Sequence, residues 1–264
     1  GKTMFMTHLA SSTLLQGKNV LYITMEMAEE RIAERVDANL LNVGMSDLEE
    51  LPYKMYETKI NKLQKKTSGQ LIVKEYPTAT AHVGHFKNLL SELALKKSFK
   101  PDIVFIDYLN ICASSRFKAG ANVNSYTYIK AIAEELRGLA VENDIPIFSA
   151  TQTTRSGFVS SDVGLEDTSE SFGLPATADF MFALISSEEL EEKNQIMVKQ
   201  LKNRYNDPTI NRKFIIGVDR SKMKLYDVEQ YAQTDLVDSG QATPDTSIAS
   251  KFTKKLGEYS DFKI

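Results

Sequence analysis

Three short apolar runs each end in one residue that could act on a phosphate. Val20 to Met25 ends in Glu26, Ile103 to Ile106 ends in Asp107, and Ile145 to Thr151 ends in Gln152. One carboxylate beside a terminal phosphate can orient and deprotonate a water. Another can hold Mg²⁺, directly or through water. A glutamine amide can sense a γ-phosphate by hydrogen bonding. The chain opens Gly1-Lys2-Thr3, the last three residues of a phosphate-binding loop. In such a loop the lysine reaches the β- and γ-phosphates and the threonine hydroxyl binds the metal. Together these residues point to a nucleotide-hydrolysing site. Each also has a plainer reading. Asp107 could cap a turn, Glu26 could sit at a helix start favoured by the dipole, Gln152 could face solvent, and Thr3 could be an ordinary helix-start residue. Lys202 and Arg204, two apart at a strand end, point the same way and could clamp a phosphate. On spacing alone they read as a solvated basic strand end.

The elements that must hold these residues are legible in the pattern. Runs rich in β-branched and aromatic residues read as strands buried on both faces, as in a parallel sheet. Parallel strands share one carboxyl edge, where open α/β sheets bind ligands. A helix is predicted over 4–16 and a strand over 19–25. Glu29 to Val43 carries Ile32, Val36, Leu40 and Val43 on one helical face, with Gly44 as the stop. Residues 46–66 carry Pro52 and then a charged, exposed helical stretch, a short strand covers 71–73, and helices cover His85–Lys97 and Ser125–Asn143. Two polar, glycine-containing stretches, 113–124 and 153–175, read as loops. Four later runs, 178–185, 196–201, 214–218 and 224–228, suggest a partly antiparallel extension of the sheet. From Gln233 the chain reads as a weakly ordered polar tail. This gives two parts, a core over 1–230 and a tail over 231–264.

At 264 residues with a net charge of -3, the chain suits one large α/β domain and lacks a broadly basic surface for coating nucleic acid. A narrow channel around one strand remains compatible with that charge. The lone Cys112 fits a reducing, cytoplasmic setting, read more simply as a buried filler. No run approaches the ~20 apolar residues of a membrane span. A complete phosphate loop needs a preceding strand and four variable residues, and Gly1 has nothing before it. The expectation is a piece of a longer protein, with at least one strand and half the loop upstream.

Taken in order, the motifs resemble replicative hexameric helicases of the DnaB type, RecA-fold motors, particularly the bacteriophage versions. The resemblance covers residues 1 to about 230. Gly1-Lys2-Thr3 looks like the end of the Walker A loop, and Ile23-Thr24-Met25-Glu26-Met27 like the segment with the catalytic glutamate. Val104 to Leu109 resembles the Walker B strand, and Ser149 to Arg155 the segment with the γ-phosphate-sensing glutamine. Asp167 to Ser171 with Ala178-Asp179 is similar to the loop and strand that face DNA. Lys199 to Arg204 looks like the strand whose lysine and arginine reach a neighbour's nucleotide. The resemblance implies a P-loop NTPase core, mostly parallel with antiparallel C-terminal strands. It implies ATP or another NTP and Mg²⁺, held by Gly1, Lys2, Thr3 and Asp107, with Thr3 and Asp107 on the metal. Glu26, Gln152, Lys202 and Arg204 become catalytic, the last two in trans. Arg116, Lys118, Arg155, Ser169, Glu170 and Gly173 become contacts to single-stranded DNA. The implied partners are identical subunits in a hexameric ring, with primase and a helicase loader beyond them. Asn110 stands where many relatives have Gln, and Tyr205-Asn206-Asp207 replaces a more usual Asn-Gly turn. Rival readings are a recombinase- or clock-type ATPase of the same fold, a non-catalytic loader-binding fragment, and a small-molecule P-loop kinase.

Overall fold

The computed structural model describes residues 1–117, 122–153, 164–165, 173–207 and 210–229. The predicted tail over 231–264 lies outside the described residues. Four parallel strands form the first sheet: β1 (Val20–Thr24), β2 (Leu71–Glu75), β3 (Ile103–Asp107) and β4 (Ile147–Ser149), in the order β2-β1-β3-β4. Every residue of β1 is buried, which is why its sequence is continuously apolar instead of alternating. Side chains still alternate between faces. Val20, Tyr22 and Phe105 pack with Met6, Ala10 and Leu14 of α1 (Lys2–Leu15) and with Ile32 and Val36 of α2 (Glu29–Leu41). Leu21, Ile23, Val104 and Ile106 pack on the other face with α5 (Val83–Lys97) and α6 (Ser125–Asn143), through Phe86, Leu90, Ile132 and Leu136 among others. Each such side chain contributes about 1.5–3 kcal/mol by burial. Two helices on each face therefore clamp the strands that lead to Glu26, Asp107 and Gln152.

The charged stretch after α2 splits into α3 (Met45–Glu49) and α4 (Tyr53–Gln64), with Pro52 capping the second. Helix α2 stops earlier than its periodicity predicts. Asn42 takes the left-handed conformation at φ 55° and ends it, while Gly44 becomes the N-cap of α3. Asparagine tolerates that region nearly as glycine does, so the first acceptable residue wins. Strand β4 is also shorter than predicted. Beyond Ser149 the Ala150 carbonyl accepts from Leu109 N at 3.1 Å, and the Thr151 hydroxyl donates to Asn110 Oδ1 at 2.8 Å. These bonds draw the chain towards the short 3₁₀ turn at Leu109–Ile111.

The later strands are β5 (Phe180–Ile185), β6 (Gln195–Asn203), β7 (Lys213–Asp219) and β8 (Lys224–Asp227), preceded by a short helix α7 (Gly173–Thr177), with α8 (Glu188–Glu192) between β5 and β6. They are antiparallel, as expected, but among the described residues they form a separate sheet, β5-β6-β7-β8, with no ladder joining β5 to β4. Side chains make the junction. Phe182 lies 6.0 Å from Phe148 and 5.2 Å from Phe5, ring to ring. Met4 of α1 joins Ile196, Val198 and Val218 in a cluster of its own. Backbone pairing between strands distant in sequence is not written in periodicity, so the split is invisible there.

Helix α5 starts on an unusual cap. Gly84 N donates to His82 Nδ1 at 3.0 Å, and His82 N donates to His85 Nδ1 at 3.2 Å. Both rings must be unprotonated at those atoms. Burial, then the neighbouring His85, lowers the His82 pKa, against a smaller opposing pull from Glu135. Burial and Lys224 lower that of His8. A folded-state pKa below the unfolded value means that the unfolded chain takes up the proton first. This stability is therefore present above an unfolded pKa of about 6.5 and is lost as pH falls through the folded value. Urea midpoints should drop from pH 7.5 to pH 5.5. Losing a side-chain cap costs about 0.5–2 kcal/mol. His82→Asn, which caps without titrating, should flatten part of the slope; an unchanged slope would remove the cap from the account.

Candidate active site

Strand register brings the first two chemical residues together. Thr24 lies opposite Asp107 in the parallel ladder, and Met25 N donates to the Asp107 carbonyl at 3.0 Å. Glu26 follows at once, exposed at the carboxyl edge of the sheet. The turn that presents it is fixed from beneath. Buried Thr24 accepts from Met27 N at 3.1 Å and donates to the Met27 carbonyl at 2.8 Å, and Thr78 donates to the Met25 carbonyl at 2.6 Å.

Asp107 is fully buried. Its Oδ2 accepts from the Tyr22 hydroxyl at 3.0 Å, and its Oδ1 has no hydrogen-bond partner. A buried carboxylate oxygen without a partner is costly and demands an explanation. A hard cation fits that demand. Mg²⁺ keeps several waters and takes one or two carboxylates plus substrate phosphates, not an all-protein cage. Among the described residues no group of three or more His, Cys, Asp or Glu side chains is placed to hold a metal. Burial first, and then Asp107 itself, push the Tyr22 phenol above its ordinary range, so Tyr22 stays a donor. Tyr22→Phe strands both carboxylate oxygens. It is expected to cost about 1–3 kcal/mol in urea unfolding without nucleotide or metal. A loss under a few tenths would mean that Asp107 had not relied on that bond.

Tyr108 gathers the remaining pieces. Lys2 Nζ sits 4.9 Å from the centroid of its ring, and Gln152 Nε2 donates to its hydroxyl at 3.2 Å. Burial, then the charges of Glu26 and Asp107, raise its phenol pKa. The Asp107–Tyr108 peptide bond is cis. Lys2, which opens α1, meets Gln152 through the Tyr108 ring, which also feels both carboxylates. Thr3 follows in the same first turn, which holds no acidic residue to compete for an anion.

Lys202 and Arg204 lie at a second place. Lys202 Nζ donates to the Pro175 carbonyl at 2.5 Å, and Arg204 donates to the Ala176 carbonyl and to Asp179 Oδ1, both at 2.7 Å. Among the described residues no hydrogen bond or ion pair joins either to Lys2, Glu26, Asp107 or Gln152. Of the residues expected at DNA, Arg116 is paired with Glu134 at 2.5 Å. The adjoining Ser114 and Ser115 hydroxyls donate to buried Glu135 at 2.5 and 2.9 Å. Gly173, expected in a loop, opens α7 and is buried where a Cβ would meet Lys130 at 3.0 Å. Lys118, Arg155, Ser169 and Glu170 lie outside the described residues. A cavity of ≈ 480 Å³ between Phe5, Phe182 and Phe214 belongs to the antiparallel sheet, not to this edge.

Sequence reading missed Tyr22, Tyr108 and Asp179 as parts of these arrangements. Tyr22 carried one signal, a hydroxyl inside an otherwise apolar, doubly buried run, which needs a partner when buried. Tyr108 adjoins the strand-end aspartate. Asp179, marked by resemblance with the strand that faces DNA, carried no local signal of its bonds to Arg137 and Arg204.

The DnaB-like helicase C terminal domain family matches residues 1–222. The chain is 48% identical over 233 residues to the DnaB-like replicative helicase of Enterobacteria phage T4, covering 87% of this chain and 49% of that protein. It is 29% identical over 189 residues to the replicative DNA helicase DnaB of Helicobacter pylori, covering 70% and 37%. It thus spans about half of the first relative and less of the second. Among solved structures, an isolated ATPase domain superposes with a TM-score of 0.69 at 19% identity, over 86% of this chain and 80% of that one. A DnaB-like replicative helicase, solved to describe its interactions with primase, gives the same score and identity over 54% of its chain. Those two likenesses establish the fold, a parallel sheet flanked by helices with an antiparallel sheet beside it. With its family profile matched over most of its length, this chain belongs to the DnaB-like helicase C-terminal domain family.

Proposed function

We propose that the intact protein is a hexameric helicase that hydrolyses ATP or another NTP with Mg²⁺, moves along single-stranded DNA and separates the duplex at a replication fork. The observation that carries this is Asp107, buried with an unpartnered oxygen beside the turn that presents Glu26, on the same edge as Gln152 and Lys2. Gly1, Lys2 and Thr3 would hold the phosphates, and Thr3 and Asp107 the metal. Bound Mg²⁺ supplies charge neutralisation on the phosphate oxygens. Glu26 orients the attacking water and takes its proton, which its solvent-facing position permits. Gln152 reads the γ-phosphate and exchanges its bond to Tyr108 for one to the phosphate. Lys202 and Arg204 serve the neighbouring subunit's nucleotide, where they stabilise developing charge. Tyr205 and Ile210, 75% and 63% exposed in the connection that follows Arg204, support burial of that tip by an identical subunit.

In this reading residues 1–230 form the motor and 231–264 a polar tail. Arg116, Lys118, Arg155, Ser169, Glu170 and Gly173 belong to segments that track the strand through a ring, with primase and a loader outside it. The setting is the cytoplasm, of the host if the protein is viral; among the described residues no helix is long and apolar enough to cross a membrane. A forked-duplex assay with the full-length protein, ATP and Mg²⁺ tests the proposal. Strand separation on the fork is expected. Pairing of homologous strands without separation would instead mark a recombinase-type ATPase.

A further inference from the structure

We propose that Asp179 is a positioning residue that stores Arg204 inside its own subunit until a neighbour's triphosphate outcompetes it. This rests on the trans role given to Arg204 above. Asp179, just ahead of β5, takes Arg204 on Oδ1 at 2.7 Å and Arg137 of α6 on Oδ2 at 2.6 Å. The two guanidiniums also cap the end of α7, Arg204 on the Ala176 carbonyl at 2.7 Å and Arg137 on the Thr177 carbonyl at 3.0 Å. Lys202 adds a third cation on the Pro175 carbonyl. One carboxylate thus faces three cations. Partial burial works against its charge, but hydrogen bonds from Arg137 and Arg204 outweigh this and hold Asp179 below the usual carboxylate range. Burial, then Arg204, lowers the Lys202 ammonium pKa, as expected where positive charge is in excess.

Such a cluster engages Arg204 within its own subunit and leaves positive charge to attract an anion. The Arg204 and Asp179 side chains are 40% and 33% exposed, so their bond is the weak, exchangeable kind. A triphosphate carries more negative charge than a diphosphate or a single carboxylate. Asp179 therefore sets a threshold that ATP in the next subunit passes and ADP does not.

The test uses the full-length ring with ATP, with and without a single-stranded oligonucleotide. Asp179→Asn removes the competing charge. It should raise DNA-independent hydrolysis by about two- to fivefold and tighten product inhibition by ADP by a similar factor, the scale of an exposed ion pair. Asp179→Glu should return both to near the starting values. Arg137→Gln leaves Asp179 to Arg204 alone and should lower the DNA-independent rate. These opposite signs from two ends of one network are not what general destabilisation gives. If Asp179→Asn does not assemble, the Arg137→Gln result alone decides. Unchanged or reduced rates in Asp179→Asn, or an unchanged rate in Arg137→Gln, while Arg204→Ala is impaired, would overturn the storage role alone. Full activity of Arg204→Ala would overturn the trans role and this proposal with it.

Discussion

Arg204→Ala in the full-length protein is expected to lower kcat for DNA-stimulated ATP hydrolysis by about 10³–10⁵-fold while leaving nucleotide binding nearly intact. The size follows from where the charge acts. A guanidinium brought to a transferring phosphoryl group stabilises developing charge most strongly in the transition state, so its loss falls mainly on kcat, with at most a few-fold change in affinity. In the isolated subunit Arg204 is bonded to Asp179 and Ala176 of its own chain. A role in the subunit's own chemistry would place it with Lys2 and Gln152, which instead meet at Tyr108. Mixed rings separate the possibilities. Subunits carrying Arg204→Ala still offer an intact reaction centre, and subunits carrying Glu26→Gln still offer an intact arginine. Mixing the two should recover hydrolysis that neither shows alone. No recovery would place Arg204 in cis.

Glu26→Gln should lower kcat by about 10²–10⁴-fold, the usual contribution of a positioned general base. The substitution keeps length and shape and removes only the ability to take a proton. The turn beneath it is held by Thr24 and Thr78 through backbone atoms, so the fold has no reason to move. Nucleotide affinity, read with a fluorescent analogue, should change little. A loss of less than about tenfold in phosphate release would move the base elsewhere, and the helix-start reading of Glu26 would regain its place.

Much of the scaffold was legible because burial writes directly into sequence. β1 and β3 are covered on both faces, and their runs are continuously apolar for that reason. Helix α6 begins and ends at the predicted residues: Asn124 accepts from Thr127 N at 2.8 Å to start it, and Asp144 turns left-handed to stop it. Legibility failed where the deciding partner is far away in the chain. Gly173 to Pro175 reads as the end of a loop, yet α6 packs against this segment and Gly173–Thr177 closes into a helical turn. The reaction centre divides in the same way. Glu26, Asp107 and Gln152 announce themselves by ending apolar runs, whereas Tyr22 and Tyr108 read as apolar neighbours until their hydroxyls find partners. The in-chain bond of Arg204 could not be read at all, since Asp179 sits 25 residues earlier on a different strand connection.

Helix α1 is a member of two hydrophobic interiors. Met6, Ala10 and Leu14 are set among β1 and β3, and Met4 is set among β6 and β7. A single rod riveted to two plates converts any tilt at its tip into relative travel of the plates. Its tip is Lys2-Thr3. One plate bears Glu26 and Asp107, and the other bears Lys202 and Arg204. The reach between Glu26 and Asp107 on one plate and Lys202 and Arg204 on the other is thus geared through the 14 residues of one helix.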